Sequence, residues 1–223
     1  MTVYIEKPAV NLREELASLR NQGGYEEQQF WFENAVTNGD FATGDLTGWT
    51  DSSIGSGTAT VNGSNQLELY RLDVSNRGAV TQDITFTSNV LYVVTFTKTD
   101  SSAFIQCKVG NSNPDLATII GQVQAAGQYS FTFSSTRYLH FLNVSNSTTA
   151  VVDNISVFET DGTDVVHRMP KGWVPLHVYE DGLLQREGAA NDYEVVYDGF
   201  DYYVKPAVAP SATTQTCVIG VRK

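Results

Sequence analysis

The feature that most restricts the fold of this chain is a series of short, strand-like runs separated by turn residues. Eight such runs lie between residues 58 and 158, with turn residues between them. They cover residues 58–61, 66–71, 79–86, 91–99, 104–109, 128–134, 138–144 and 150–158. Apolar and polar residues alternate within several runs, which predicts strands with one buried face. Eight strands with polar turns and almost no helical periodicity predict a two-sheet β-sandwich of the jelly-roll type.

Length and composition allow this sandwich and little else of comparable size. The chain has 223 residues, of which 41% are hydrophobic and 17% are charged, so it resembles folded rather than disordered chains. We divide it into an N-terminal docking arm (1–34), the sandwich (35–160) and a small C-terminal β module (161–223). The predicted fold class is therefore all-β: a jelly-roll β-sandwich with a short N-terminal helical arm and a small C-terminal β domain.

The N-terminal segment predicts a short helix followed by three adjacent aromatic residues. Asn11 can cap the helix, Glu14 stands at the capping-box position, and leucines follow at helical spacing. A helix of about ten residues is marginal alone in water, so its apolar stripe needs a partner surface. That surface belongs either to sister subunits or a larger particle, or to the same chain if the segment folds back as a strap. The predicted docking and oligomerisation residues are Leu12, Leu16, Leu19, Phe30, Trp31 and Phe32.

The C-terminal segment predicts hairpins. Asp181-Gly182 and Asp198-Gly199 each separate two strand-like runs, which is a strong local hairpin signal, and residues 216–221 form the last predicted strand. A module of about sixty residues is small for independent stability, so we expect it to lean on a neighbouring domain or on symmetry copies.

The net charge of −11 argues against nucleic acid as a partner, because no Lys/Arg cluster interrupts the acidic chain. No run of about 18 apolar residues is present, which predicts no membrane insertion. The first residues lack the apolar core of a signal peptide, so we expect a soluble protein that is not exported by that route. Cys107 and Cys217 are expected to be buried thiols, although two cysteines can in principle pair.

No catalytic constellation stands out, and we predict that the protein is not an enzyme. His140, His167 and His177 have no zinc-type spacing with one another or with cysteine. Neither a nucleophile elbow nor a phosphate-binding glycine loop is present. Carboxylate pairs such as Asp181 and Glu187 lie in predicted turns, where these residue types are common.

Sugar binding is the more serious chemical hypothesis. Glycan sites present flat aromatic rings together with hydrogen-bonding side chains, and the strand aromatics are the available candidates. The alternative for each ring is packing in the core, where strand aromatics usually lie. The predicted glycan-contact residues are Tyr70, Tyr92, Tyr129 and Tyr138.

Two motifs at the ends of the sandwich resemble those of carbohydrate-binding-module-like, galactose-binding-like jelly rolls. The first is Asn-Gly-Asp-Phe at 38–41 with Gly-Trp at 48–49, and the second is Val-Asp-Asn-Ile-Ser-Val at 152–157. The resemblance implies that the first and last strands pair and that Trp49 is a core residue. It also implies a structural calcium ion near Asp40 and Asp153, but Ala42 stands where an acidic ligand is common. Calcium prefers six or more oxygens, and two carboxylates supply only part of them. No other cofactor is expected.

Two further segments resemble parts of bacteriophage virion structural proteins. Residues 178–186, 191–193 and 207–210 resemble a β module found in tail fibres and head-attached fibres, and residues 4–14 resemble a leader shared by phage structural proteins. The resemblance implies synthesis in the host bacterial cytoplasm, a place in the virion, capsid or tail proteins as partners, and a homotrimer. The predicted function is a non-enzymatic capsid decoration or head fibre, anchored by its arm and displaying the sandwich outward. The alternative is a tail-fibre or receptor-binding protein that binds host surface glycans.

Overall fold

The computed structural model describes residues 27–135, 137–188, 190–211 and 213–222. These ranges form strands, turns and loops and contain no helix, so the predicted all-β class is confirmed for them. Accordingly, no helix of the described ranges is long and apolar enough to cross a membrane. The predicted N-terminal helix, with Leu12, Leu16 and Leu19, lies outside the described residues.

The central part of the chain is a β-sandwich of two antiparallel five-stranded sheets. Strands are numbered in chain order, and β1 belongs to the second domain. The sandwich strands are β2 (Thr50–Asp51), β3 (Thr58–Val61), β4 (Leu67–Arg71), β5 (Ala79–Thr85), β6 (Tyr92–Lys98), β7 (Ile105–Val109), β8 (Thr118–Val123), β9 (Gly127–Phe133), β10 (Arg137–Asn143) and β11 (Thr148–Glu159). One sheet has the order β2-β5-β10-β7-β8 and the other has the order β3-β4-β11-β6-β9. All eight predicted strands are present, whereas β2 and β8 were not predicted.

The core of the sandwich forms because each strand turns its apolar residues inward. In β6, burial alternates strictly along the strand, as its sequence pattern predicts. The rings of Phe96 and Phe141 come from opposite sheets and meet edge to face at 5.0 Å between centroids. Trp49 is only 6% exposed and packs near Phe41 and Phe141, so its predicted core role is confirmed.

The two ends of the sandwich lie side by side. The amide of Ile155 in β11 donates to the carbonyl of Gly39 at 2.8 Å, and the amide of Ala35 donates to the carbonyl of Val157 at 3.1 Å. The Asn34 side chain reinforces this pairing, because its Oδ1 accepts the amide of Val157 at 2.8 Å. The entering segment is thus held against the last strand, but the first strand of the sandwich, β2, pairs with β5 and not with β11, so the implied pairing of the first and last strands is not observed.

The second domain contains two smaller antiparallel sheets. Its strands are β1 (Glu27–Phe32), β12 (His167–Arg168), β13 (Trp173–Glu180), β14 (Leu183–Leu184), β15 (Tyr193–Tyr197), β16 (Tyr202–Pro206) and β17 (Thr216–Arg222). The sheet orders are β1-β17-β13-β14 and β12-β16-β15. The turn between β13 and β14 has positive φ at Asp181 (48°) and Gly182 (80°), as in a type I′ hairpin, which matches the hairpin that this dipeptide predicts.

Strand β1 places the aromatic triplet in this second domain. Its six residues pair with β17, from Glu27 opposite Val221 to Phe32 opposite Thr216. Phe30 and Phe32 pack against the domain core, which matches the strap alternative for these two residues. The sandwich is therefore inserted between β1 and the rest of a domain that begins before residue 34. The boundary predicted from the sequence therefore places β1 in the N-terminal arm. The partner of β1 is β17, near the other end of the chain, and such a distant pairing leaves no signal in the local sequence.

Candidate functional site

Two of the four tyrosines predicted to contact glycans are packing residues. Tyr92 is 7% exposed, and its hydroxyl accepts the amide of Thr87 at 3.0 Å. Tyr129 packs against Phe96 with 5.8 Å between ring centroids, and its hydroxyl donates to the carbonyl of Ala125. Tyr92 is buried and Tyr129 is partly buried against the core, so the structure favours the packing alternative for Tyr92.

The other two tyrosines are partly exposed but lie on different sheets. Tyr70 in β4 stands between Thr58 and Thr149 on the neighbouring strands. Tyr138 in β10 has a φ of 60°, and the Arg137 guanidinium lies 4.8 Å from its ring centroid. Because β4 and β10 belong to opposite sheets, these two rings do not form one binding surface.

A groove at the junction of the two domains brings together residues from separate parts of the chain. Its volume is about 220 Å³, and we term it the junction groove. The lining residues are Trp31, Phe32, Glu33, Ala35, Tyr92, Val157, Phe158, Glu159, Val166 and His167. Aromatic rings, two carboxylates and one imidazole thus converge, which is the composition of a small-molecule site with an apolar wall and a few polar groups.

Strand geometry explains how the groove is built. Consecutive residues of a strand point to opposite faces, so Trp31 remains 57% exposed while its neighbours Phe30 and Phe32 are partly buried. Across the junction, Tyr92 at the start of β6 stands opposite Glu159 at the end of β11. The short strand β12 then begins at His167 and completes the lining.

His167 is a buried imidazole held between aromatic rings. It is 3% exposed, and its ring stacks on Phe32 at 4.8 Å between centroids with Phe158 edge-on at 6.3 Å. Its Nε2 atom is buried and finds no hydrogen-bond partner among the described residues. Burial lowers the pKa of His167 to about 4, so the ring is neutral at pH 7. A buried polar atom without a partner is costly, which marks this position for a ligand or a water molecule.

Glu159 is the second polar group with an unused atom. Its Oε2 is buried and, in the part of the chain that the structure describes, accepts no hydrogen bond. Burial raises the pKa of Glu159, and the nearby Arg168 charge lowers it to a smaller extent. The Arg168 Nε atom lies 3.8 Å from Oε2, a distance typical of a weak ion pair rather than a hydrogen bond. Among the described residues, the His167 Nε2 and the Glu159 Oε2 are thus buried atoms without a hydrogen-bond partner.

The titration of His167 gives a testable pH dependence of stability. We expect the free energy of unfolding to fall as the pH is lowered from about 6.5 towards 4, because the unfolded chain binds a proton that the folded domain excludes. The pKa difference corresponds to roughly 3 kcal/mol over that window. Urea unfolding at several pH values would be compared between the parent and His167→Phe, which keeps a ring in the stack but cannot titrate.

The comparison with the variant isolates the imidazole contribution. The raised pKa of Glu159 acts in the opposite direction, since a protonated buried carboxyl favours the folded state, and it is present in both proteins. The lowered pKa of His140 adds to the loss and is also common to both. Equal pH dependence in parent and variant would contradict the burial of a neutral His167.

The two carboxylates predicted to bind calcium do meet at the end of the sandwich. Burial raises the pKa of Asp153, and the Asp40 carboxylate nearby raises it further. Across the described ranges, however, no group of three or more Asp, Glu, His or Cys side chains forms a metal cluster. The pair supplies at most four carboxylate oxygens, so carbonyls and water would have to complete the shell. The calcium site stays a prediction.

The remaining histidines and cysteines have structural surroundings. His140 is fully buried, and its two ring nitrogens lie 2.7 Å from Thr81 Oγ1 and from the carbonyl oxygen of Asn111. His177 is exposed on β13. Cys107 and Cys217 are both buried and free, and burial raises the pKa of each thiol, as expected for structural cysteines.

Three residues of the junction groove were identified from the sequence but were assigned to two different functions, docking and glycan contact. Trp31 and Phe32 were predicted to dock on other chains, and Tyr92 was predicted to contact glycans. Glu159 and His167 were not singled out, since neither lies in a recognisable motif. Their approach to Trp31 and Phe32 depends on long-range contacts of residues 27–35, which no local pattern shows.

Together, the fold and the groove define an all-β protein with a two-sheet β-sandwich. No protein-family model matches the chain, and no curated protein matches it. It is similar in structure to the enzymatically active domain of tailspike protein 4 from bacteriophage CBA120, with 16% identity and a TM-score of 0.44, over 57% of this chain and 21% of the tailspike chain. It is also similar to TmCBM61, solved in complex with β-1,4-galactotriose, with 14% identity and a TM-score of 0.41, over 58% of this chain and 100% of that chain. A mutant of the family 29 carbohydrate-binding module CBM29-2, complexed with cellulohexaose, shows 15% identity and a TM-score of 0.42 over 60% of this chain and 92% of that chain.

Proposed function

We propose that this chain is a non-enzymatic glycan-binding protein and that the junction groove receives the sugar. The observation that carries the proposal is a groove lined by the exposed Trp31 together with two polar side chains, those of His167 and Glu159. A sugar ring combines an apolar C–H face with hydroxyl groups. The indole can cover the apolar face, and the imidazole and carboxylate can hydrogen-bond the hydroxyls.

The proposal places this glycan-binding protein in a phage virion. The sequence resemblances of residues 4–14 and of the C-terminal module support this location, with capsid or tail proteins and two further copies of the chain as partners. A binding groove favours the receptor-binding form of the hypothesis, in which a tail fibre contacts host surface glycans. A decoration or head fibre is the second candidate, and the acidic net charge of −11, which helps to keep particles dispersed, supports it. Locating this chain on an intact particle distinguishes the two.

The groove assignment predicts a specific loss of glycan binding. We expect Trp31→Ala to weaken binding of an array-positive glycan by about tenfold or more, equivalent to at least ~1.4 kcal/mol, because the stacking surface is lost. Stability should change by less than ~1 kcal/mol, since the indole is mostly exposed. The matched control is Phe200→Ala, which removes a ring that is 86% exposed and lies outside the groove lining.

Binding is measured with the full chain on a glycan array and then by titration calorimetry. An unchanged affinity in Trp31→Ala together with a loss in Phe200→Ala would move the site to the other aromatic ring. Hydrolysis of host polysaccharide is assayed in parallel, because glycosidases also use paired carboxylates. Turnover that disappears in Glu159→Gln would replace the non-enzymatic proposal with an enzymatic one.

A further inference from the structure

Resting on the proposed function, we infer that the junction groove selects one neutral pyranose unit and discriminates against acidic sugars. The inference concerns the chemical class of the ligand. It follows from two observations, the size of the groove and the acidic residues of its lining.

The size of the groove sets the length of the ligand that it encloses. Its volume of about 220 Å³ is below the ~300–1,000 Å³ typical of sites that enclose drug-sized ligands. One six-membered sugar ring is of suitable size, whereas a second ring would extend into solvent. The groove therefore encloses a single sugar unit of a longer glycan.

The charges of the lining disfavour an anionic ligand. Glu33 and Glu159 are its acidic residues, and no lysine or arginine is among the described residues that line it. Arg168 lies near Glu159 from outside the lining, but its guanidinium also pairs with Asp201 at 3.4 Å. A sugar carboxylate a few ångströms from the Glu159 carboxylate would be repelled by its like charge.

The partly exposed carboxylate of the lining matches the hydroxyls of a neutral sugar. The Glu159 side chain is 29% exposed, and in its charged form its carboxylate can only accept hydrogen bonds. Sugar hydroxyls can donate to it. In an acidic sugar, a carboxylate replaces the hydroxymethyl group. That carboxylate and the Glu159 carboxylate both only accept hydrogen bonds, so they cannot bond to each other. The buried imidazole, whose pKa is lowered by burial, does not provide a compensating positive charge.

The groove is also composite, because both domains supply its walls. Trp31, Phe32 and His167 come from β1 and β12 of the second domain, whereas Tyr92 and Glu159 come from β6 and β11 of the sandwich. An isolated sandwich would keep only part of the lining. Binding experiments therefore need the full chain, and a sugar held by both walls would strengthen their association.

The test uses pairs of sugars that differ only at the sixth carbon. Saturation-transfer NMR and calorimetric titration of the full chain compare methyl glucoside with methyl glucuronide, and methyl galactoside with methyl galacturonide. We expect at least a tenfold preference for the neutral member of the pair that binds. Glu159→Gln should weaken binding of the neutral sugar and reduce the preference. Glu194→Gln, which changes an exposed carboxylate outside the groove lining, should alter neither.

The outcomes separate this inference from the proposed function. Equal or tighter binding of the acidic sugars overturns the inference while leaving glycan binding in place. Neutral binding that is insensitive to Glu159→Gln and Trp31→Ala, in variants with parental circular dichroism, also overturns it. If neither sugar class binds and the glycan array is silent, the proposed function itself fails.

Discussion

Deleting residues 1–32 is expected to unfold the C-terminal domain, whereas deleting residues 1–26 is expected to leave it folded. The longer deletion removes β1, which pairs with β17 over six residues. It also removes Phe30, whose ring meets Trp173 edge to face at 4.9 Å, and Phe32, which stacks on His167. The shorter deletion keeps all of these contacts.

The magnitude follows from the burial of the two phenylalanines. Full burial of such side chains is worth ~1.5 to 3 kcal/mol each, which is an upper bound for these partly buried rings, and the lost strand pairing adds to the cost. A domain of this size has little stability to spare, since small domains bury a smaller fraction of their surface. The loss is therefore comparable with the whole stability of the domain.

The measurement is an amide NMR spectrum of each deletion, supported by Trp173 fluorescence. We expect the spectrum after deletion of residues 1–32 to lose dispersion for the C-terminal domain while the sandwich signals persist. Native dispersion throughout would contradict the assignment of β1 to this domain. The result also determines which deletion can test anchoring to the particle. A deletion that extends beyond residue 26 removes part of β1, so a failure to join particles could then come from unfolding of the C-terminal domain.

Replacing Gly39 by alanine is expected to destabilise the sandwich by about 3 kcal/mol or more. An added Cβ would lie 1.9 Å from the carbonyl oxygen of Ile155 and 3.1 Å from Cγ1 of Val36. The obstructing atom belongs to the backbone, so it cannot rotate away. The same Gly39 carbonyl accepts the amide of Ile155, and any shift that relieves the clash stretches this hydrogen bond.

Gly63→Ala is the matched control, because an added Cβ at Gly63 meets nothing within 4 Å. We expect this change to stay within about 0.5 kcal/mol of the parent. Urea unfolding followed by circular dichroism gives both values. Similar stabilities for the two variants would show that the ends of the sandwich do not pack as closely as the structure describes.

The parts of the fold that could be predicted are those with a local signal. Strand β3 was predicted with its observed bounds, because alternation and flanking turn residues define it within a few positions. Strand β8 was missed because Gly121 interrupts its apolar pattern. That glycine is required by packing, since an added Cβ would lie 2.2 Å from the ring of Phe131. A contact between sheets of this kind has no counterpart in the local sequence.

The candidate site was less predictable than the fold. Tyr92 and Glu159 come together through pairing between β6 and β11, and Trp31 joins them through the pairing of β1 with β17 and the hydrogen bonds of residues 34 and 35 to β11. Residue types alone marked the aromatic positions. They could not show that two polar atoms would be left unpaired beside them, because that property depends on the complete fold.

The pairing of β1 with β17 has a mechanical consequence. Glu27 stands opposite Val221, so the two ends of the described chain leave the domain at the same point. Tension applied between these ends would load the bonds between β1 and β17 one at a time, in an unzipping geometry, beginning at that pair. The inserted sandwich lies outside the load path until β1 has detached. A pulling force on the chain ends would thus be released first in the small domain, while the sandwich stays intact.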